Sequence, residues 1–383
     1  MSELKRVLRT SVATGIAVSA AVVLAVSGAQ AAGTPGWRFA AVYTQVSNMQ
    51  SVSASSAANA WAVGQTGELG LFTSHWNGKT WQPVAQPAGI TYPQVIGAAA
   101  AATTGARAWV FVVSMAPEDE GGESAVAAVE WTGTSWSAVH NFAGSPSLGT
   151  AIASGPDDVW GFGTAGSSGQ TPWAVRYNGK CWSRVAIPVI PSQASGSAAA
   201  GDWVTGAVAA QPTRVEVLHW SKGAWRNAAL PRISVLTGEQ TLPGLIAAAG
   251  PASVWATVEI GPPSGAGQLT YVLLHWNGRA WSKVPLPKGV NVYGLASDGH
   301  GGSWVASYTV NEPGVILSGL VMYHYSGGHW THVPAPAKSG FVTNLIGGNM
   351  ELIPGTRSVL ATAILNPSPL PGMFKGAILK YGP

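Results

Sequence analysis

Carboxylates are scarce in this sequence, and those present mark where chemistry could sit. Glu118, Asp119, Glu120 and Glu123 crowd one short stretch, Glu118-Asp119-Glu120-Gly121-Gly122-Glu123. Several carboxylates on one loop are what a hard cation such as Ca²⁺ requires. The stretch lacks the alternating Asp/Asn-x-Asp spacing of a dedicated calcium loop, so a solvated acidic loop is the favoured reading; no cofactor is expected. Glycoside hydrolysis needs two carboxylates facing one another at roughly 5–10 Å. Glu68, Glu239, Glu259 and Glu312 fall in loop-like segments, but no spacing pairs them.

His75, His219, His275 and His324 each stand directly before an aromatic residue of a recurring motif, where Glu130, Arg176 and Lys380 stand in other copies. Metal ligands must converge within about 2 Å of one ion. Side chains spread over separate repeats read instead as residues on the faces of separate sheets. Cys181 is the single cysteine, so no intramolecular disulfide can form. It is read as a small turn residue, with an intermolecular disulfide or a reactive thiol as the alternative. No G-x-S-x-G elbow singles out a nucleophile. Trp173 is the one Trp of 18 that the repeat does not require. It is either a sugar-stacking platform or a residue packed between sheets, and Tyr308 is a weaker candidate of the same kind.

The elements that would position these groups come from one repeated stretch, aromatic–x–x–x–x–Trp. It reads Trp76-Asn77-Gly78-Lys79-Thr80-Trp81 in its first copy and returns from Trp131, Tyr177, Trp220, Trp276 and Tyr325, about 43–56 residues apart. A second series, Trp61, Trp109, Trp160, Trp203, Trp255 and Trp304, runs in phase with it. Period-two alternation around these residues predicts four short strands per unit. In the first unit these are strand A near Gln50–Ser53, B near Ala60–Gly64, C near Leu71–Trp76 and D near Trp81–Ala85. Asn-Gly between C and D signals a hairpin, since both residues tolerate positive φ. Pro87, Pro188, Pro231, Pro287 and Pro336 close the D strands.

Repeated four-strand units with Trp signatures predict an all-β fold, a seven-bladed β-propeller of four-stranded antiparallel blades. Ala377-Ile378-Leu379-Lys380-Tyr381-Gly382 matches strand C of a seventh unit that lacks strand D. Pro35-Gly36-Trp37-Arg38-Phe39-Ala40-Ala41-Val42 matches strand D, with Trp37 in the place of Trp81. The first strand is therefore expected to complete the last blade and close the ring. A–B and C–D turns would lie on one side of such a ring, B–C and D–A loops on the other. The long B–C segments Ser114–Ser124, Glu259–Gln268, Tyr308–Ser318 and Asn366–Phe374 make the second side the expected ligand side. Its candidate residues are Trp173, Arg214, Glu259, Tyr308 and Glu312.

Composition agrees with a large apolar core: 383 residues, 46% hydrophobic, 9% charged, 49 Gly. Residues 1–31 read as a secretory signal, with Lys5, Arg6 and Arg9 before the apolar run Val12–Val26 and an Ala29-Gln30-Ala31 cleavage site. Residues 32–383 are then one exported domain with no further span. Cleavage would leave a net charge of about +2, and no basic run offers a nucleic-acid footprint. A monomer is expected.

Gly78-Lys79-Thr80-Trp81, Gly133-Thr134-Ser135-Trp136, Gly179-Lys180-Cys181-Trp182 and Gly278-Arg279-Ala280-Trp281 resemble the Gly-x-x-Trp half of the Asp-box hairpin of sialidases and related secreted bacterial propellers. The Asp of that motif is replaced by Trp76, Trp131, Tyr177 and Trp276. The motif is structural in that family, so the resemblance implies a fold and transfers no activity. A sialidase-like site also needs clustered arginines, and only Arg214 and Arg232 are expected near the ligand side. The expected function is an exported non-catalytic binding or scaffold propeller that recognises a glycan, a cell-envelope component or a protein. The alternative is a carbohydrate-active enzyme, a glycoside hydrolase or lyase using loop carboxylates.

Overall fold

The computed structural model describes residues 36–92, 94–116, 124–144, 146–166, 171–263, 269–309, 318–368 and 372–382. The signal-like segment, the acidic cluster Glu118, Asp119, Glu120 and Glu123, and Glu312 lie outside the described residues. Among the described residues no helix is long and apolar enough to cross a membrane.

After β1 (Trp37–Tyr43), the chain builds four-stranded antiparallel sheets in succession. The first is β2 (Val46–Ser56), β3 (Asn59–Thr66), β4 (Leu71–Trp76) and β5 (Trp81–Val84). The second is β6 (Gln94–Ala102), β7 (Ala108–Met115), β8 (Ser124–Trp131) and β9 (His140–Phe142); the third is β10 (Ser147–Gly155), β11 (Asp158–Ala165), β12 (Thr171–Tyr177) and β13 (Trp182–Arg184). Then come β14 (Val189–Ser197), β15 (Gly201–Val208), β16 (Gln211–Ser221) and β17 (Ala224–Asn227), followed by β18 (Gln240–Gly250), β19 (Ser253–Gly261), β20 (Thr270–Trp276) and β21 (Trp281–Val284). The remaining strands are β22 (Gly294–Ser297), β23 (Ser303–Thr309), β24 (Ser318–Ser326) and β25 (His329–Pro334), then β26 (Phe341–Leu352), β27 (Val359–Pro367) and β28 (Lys375–Tyr381). They form one sheet with β1, in the order β1-β28-β27-β26-β22-β23-β24-β25, in which β26 and β22 meet through a single parallel bridge, Leu295–Asn349. β1 runs antiparallel to β28 with Trp37 opposite Tyr381, as Trp81 stands opposite Trp76 in the first sheet.

The C–D hairpins form where Asn-Gly was read, by a different geometry. Asn77 Oδ1 accepts the N–H groups of Lys79 and Thr80, both at 3.0 Å. Asn178 and Asn277 repeat this, and only the glycine takes a positive φ, 90° at Gly78. The asparagine thus acts through its side chain, as an Asx turn. Paired positive φ occurs instead at Lys222-Gly223 and Gly327-Gly328, each in a two-residue hairpin.

The two Trp series meet between sheets. Trp61 packs on Trp131 and Trp136 of the next sheet at 5.7 and 5.8 Å, and Trp109 on Tyr177 and Trp182 at 4.9 and 5.0 Å. Trp160 takes Trp220 and Trp225, Trp203 takes Trp276 and Trp281, and Trp255 takes Tyr325. Trp304 takes Tyr381 at 4.2 Å and Trp37 at 5.5 Å. A buried Trp removes about 150–250 Å² from water, which at about 25 cal/mol per Å² is on the order of 4–6 kcal/mol per contact, as an upper bound. His75, His219, His275 and His324 stack on Trp61, Trp203, Trp255 and Trp304 at 4.3–4.7 Å. The repeated histidine position therefore roofs the buried Trp of its own sheet.

The first strand of each sheet lines a common channel. It is built of small residues because these strands crowd one axis, as in Gly97-Ala98-Ala99-Ala100-Ala101-Ala102. Short polar side chains satisfy N–H groups on the free edges. Ser51 and Ser53 accept from Ala100 and Ala102, Ser195 accepts from Ala248, and Asn349 accepts from Val52 at 2.6 Å.

Candidate functional site

The long B–C segments each lie partly outside the described residues, at 117–123, 264–268, 310–317 and 369–371. The described candidates sit at the strand ends that carry these loops. Glu259 lies near the end of β19, between Leu242 and Tyr271 of the neighbouring strands. Burial pushes its carboxyl above the usual carboxylate range. Burial and then the Glu259 charge push the Tyr271 hydroxyl well up. Arg214 is exposed and forms an ion pair with Glu216 at 2.8 Å. Tyr308 is buried, donates to the Leu345 carbonyl at 3.1 Å and packs edge-on against Tyr293. Arg214, Glu259 and Tyr308 belong to three different sets of strands, and no hydrogen bond or ion pair joins any two of them among the described residues.

Trp173 is 2% exposed and meets Phe142 of the preceding sheet edge-on at 5.3 Å, so it packs between sheets. It borders a shallow groove of about 160 Å³ with His140, Phe142, Trp182 and Arg184. Cys181 is exposed in its C–D turn beside Asn178.

Apolar exposure is uneven. Among the described residues the exposed large hydrophobics are Leu69, Ile96, Val235, Leu236, Met373 and Phe374. Leu69, Met373 and Phe374 stand on B–C connections, Val235 and Leu236 on a D–A loop, and Ile96 near the D–A end of its strand. All are on one side of the sheets. The C–D tips on the other side are polar, with exposed Lys79, Lys180, Lys222 and Arg279.

A cavity opens on that polar side. It holds about 460 Å³ where the first strands run into the A–B turns. Its wall is Ala, Ser, Gly and Thr, including Ala54, Thr103, Ser154, Ser197 and Ala248. Glu351 borders both this vestibule and a neck of about 40 Å³ beneath it, which Ser51, Ser53, Gln193, Ser195 and Asn349 line. Glu351 makes no hydrogen bond or ion pair among the described residues, and burial pushes its carboxyl up to about 8. His300 is the other ionisable group of the vestibule. Its N–H donates to Asp298 at 2.7 Å, and its ring nitrogen accepts from Arg357 at 3.2 Å. Burial raises the Asp298 carboxyl, but the His324 ring and the N–H groups of His300 and Gly302 outweigh that and hold it below its usual value.

Glu351 was not singled out from the sequence, although a signal existed. It is the one charged residue on the first strand of any sheet.

No family model and no curated protein matches the chain. Among solved structures, YCF48 from Cyanidioschyzon merolae is similar with 14% identity over 91% of this chain and 99% of that one, at a TM-score of 0.49. The BP39L lectin from Burkholderia pseudomallei is similar with 16% identity over 85% and 94%, also at 0.49. An ancestral GH74 enzyme is similar with 12% identity over 89% of this chain and 49% of that one, at 0.50. Likeness at such identity concerns the fold alone: an all-β chain of repeated four-stranded antiparallel sheets, of the β-propeller kind.

Proposed function

We propose that the chain is an exported, non-catalytic binding or scaffold propeller, a closed ring of seven blades presenting its B–C and D–A loops to a glycan, a cell-envelope component or a protein. Support for the ring is the pairing of β1 with β28, which supplies a fourth strand beside β26, β27 and β28. The bond from Val52 to Asn349 adds a link between the first inner strand and the last. Support for export is the charged, apolar and small-residue order of residues 1–31.

One observation carries the binding reading: Leu69, Ile96, Val235, Leu236, Met373 and Phe374 share the loop side. Single exposed apolar residues are ordinary, but their gathering on one side of a rigid scaffold marks a contact surface. Glu259 favours the second reading, a carbohydrate-active enzyme, because a carboxyl pushed above the usual carboxylate range by burial is a feature of a general acid.

The test combines a glycan and cell-wall binding screen of residues 32–383 with hydrolase assays. Retention on an envelope fraction that Leu236→Asp with Met373→Asp weakens at least about tenfold, at unchanged melting temperature, is the expected result. Turnover abolished by Glu259→Gln or Glu312→Gln refutes the non-catalytic reading.

A further inference from the structure

The vestibule at the A–B mouth lies on the opposite side from the loop surface and is independent of it. At about 460 Å³ it is of the size that small ligands occupy. Its wall offers mainly methyl groups and hydroxyls, with Met350, Leu352 and His300, and no Phe, Tyr or Trp. At its floor stands one carboxyl, Glu351, without a partner among the described residues. Neither Lys nor Arg borders the vestibule or the neck. The one neighbouring imidazole, His300, is held between the Asp298 backbone carbonyl and Arg357, both at 3.2 Å, and the Asp298 carboxylate is itself engaged by His324 at 3.0 Å. Among the described residues, Glu351 in its ionised form therefore has no counter-charge beside it.

Two kinds of cation could supply it. Ca²⁺ takes six to eight oxygens and commonly several carboxylates, whereas the floor has one. A primary ammonium has three donors and no need of further anions. It makes one charge-assisted bond to a carboxylate and leaves two donors for neighbouring hydroxyls and carbonyls. Ser195 borders the vestibule and the neck together with Glu351.

We propose that the vestibule binds a small hydroxylated primary amine, its ammonium group seated on Glu351 and its hydroxyls on the Ser and Thr side chains of the wall. The amine enters from the A–B mouth and stops at the neck, whose 40 Å³ admits no more than water. Free Glu351 holds its proton up to about pH 8. Seating an ammonium ion requires the carboxylate, so binding near neutrality releases that proton. Affinity then falls roughly tenfold for each pH unit below the carboxyl's value. It levels off above that value until the amine itself deprotonates near about pH 10.

The test is calorimetric titration of the purified protein with glucamine, and with glucitol as the hydroxyl-matched neutral control, from about pH 6 to about pH 9. Glucamine is expected to bind at least about tenfold more tightly than glucitol at about pH 8, with the slope just given. Glu351→Gln, an isosteric change, is expected to abolish both the preference and the slope. Ala248→Leu, which narrows the vestibule from another sheet, is expected to weaken glucamine at every pH. Equal affinity for the two compounds, or full glucamine affinity in Glu351→Gln, overturns the proposal. Displacement of glucamine by millimolar Ca²⁺ also overturns it, by making the floor a metal site.

Discussion

Replacing Trp37 with alanine removes the side chain that seats the first strand on the last. Trp37 is 4% exposed, lies 5.8 Å from Tyr381 across the β1–β28 ladder, and meets Trp304 edge-on at 5.5 Å. Truncation of a buried Trp costs about 3–5 kcal/mol, the aromatic contacts included. The Trp37 indole N–H is buried without a partner, so its loss returns about 1 kcal/mol. The net expectation is about 3 kcal/mol. At roughly 2 °C per kcal/mol for a large domain, melting should fall by about 6 °C. Calorimetry reads the fall, and hydrogen exchange at Arg38 to Val42 reports whether β1 frays first. Trp304→Ala should be non-additive with Trp37→Ala, with a coupling of about 1–2 kcal/mol. Deleting residues 32–42 takes away the ladder as well and should destabilise the whole domain. A Trp37→Ala protein within about 1 kcal/mol of the parent, additive with Trp304→Ala, refutes the idea that β1 closes a ring.

The remaining predictions concern pH. Burial raises both Asp202, to about 7 with the Asp158 charge adding to it, and Glu351, to about 8. The folded state then holds protons that the unfolded state releases near about pH 4, so stability falls as pH rises through that window. Asp202→Asn with Glu351→Gln should flatten the fall; a parent whose melting temperature does not decline between about pH 5 and about pH 8 relative to the double variant refutes it. Burial lowers His75, His219 and His275, so their unfolded forms take up protons first and stability is lost as pH falls below about 6.5. His275→Gln should reduce this acid loss in thermal melts at about pH 5, and an unchanged loss counts against it.

Most of the fold was legible because its signals are local. Alternation around Trp61 and Trp76 locates β3 and β4 to within two residues, and Asn77-Gly78 locates the hairpin from β4 to β5. The hairpin's mechanism was not legible, since an asparagine that accepts through its side chain and one that adopts positive φ share one sequence. Nor was the role of His75, His219, His275 and His324. Stacking on a Trp of the adjacent strand requires the cross-strand register, Trp61 opposite His75, and not only the spacing. Glu351 was hidden for the same kind of reason. On its own strand it is one acid among apolar and amide residues. Only the convergence of first strands from separate sheets makes it the floor of a cavity.

The proposed ring would open where it is held without a covalent link. Every passage from one sheet to the next is covalent, including the turn from β1 into β2. The non-covalent join falls instead inside a sheet, between β28 and β1. There a backbone ladder from Trp37–Tyr381 to Tyr43–Gly376 replaces the loop that links β4 to β5. Arg38 donates to the Gly382 carbonyl at the end where that loop would be. The strands β23 and β24 reinforce this end, since Trp304 touches both Trp37 and Tyr381 and is itself roofed by His324 at 4.3 Å. On the other flank Leu360 occupies the place that Trp holds in the other sheets, as its pairing with Lys380 shows. It packs with Tyr43, Met49 and Ile378 against Trp76 and Trp81. Tyr43 is fully buried and shares a hydrogen bond of 2.7 Å with Ser74 of the next sheet. β1 thus fills the gap left by the smaller Leu360 with its own last residue. The strand that would close the ring is anchored at Trp37 to β23 and at Tyr43 to β4, so its release would have to break both contacts together.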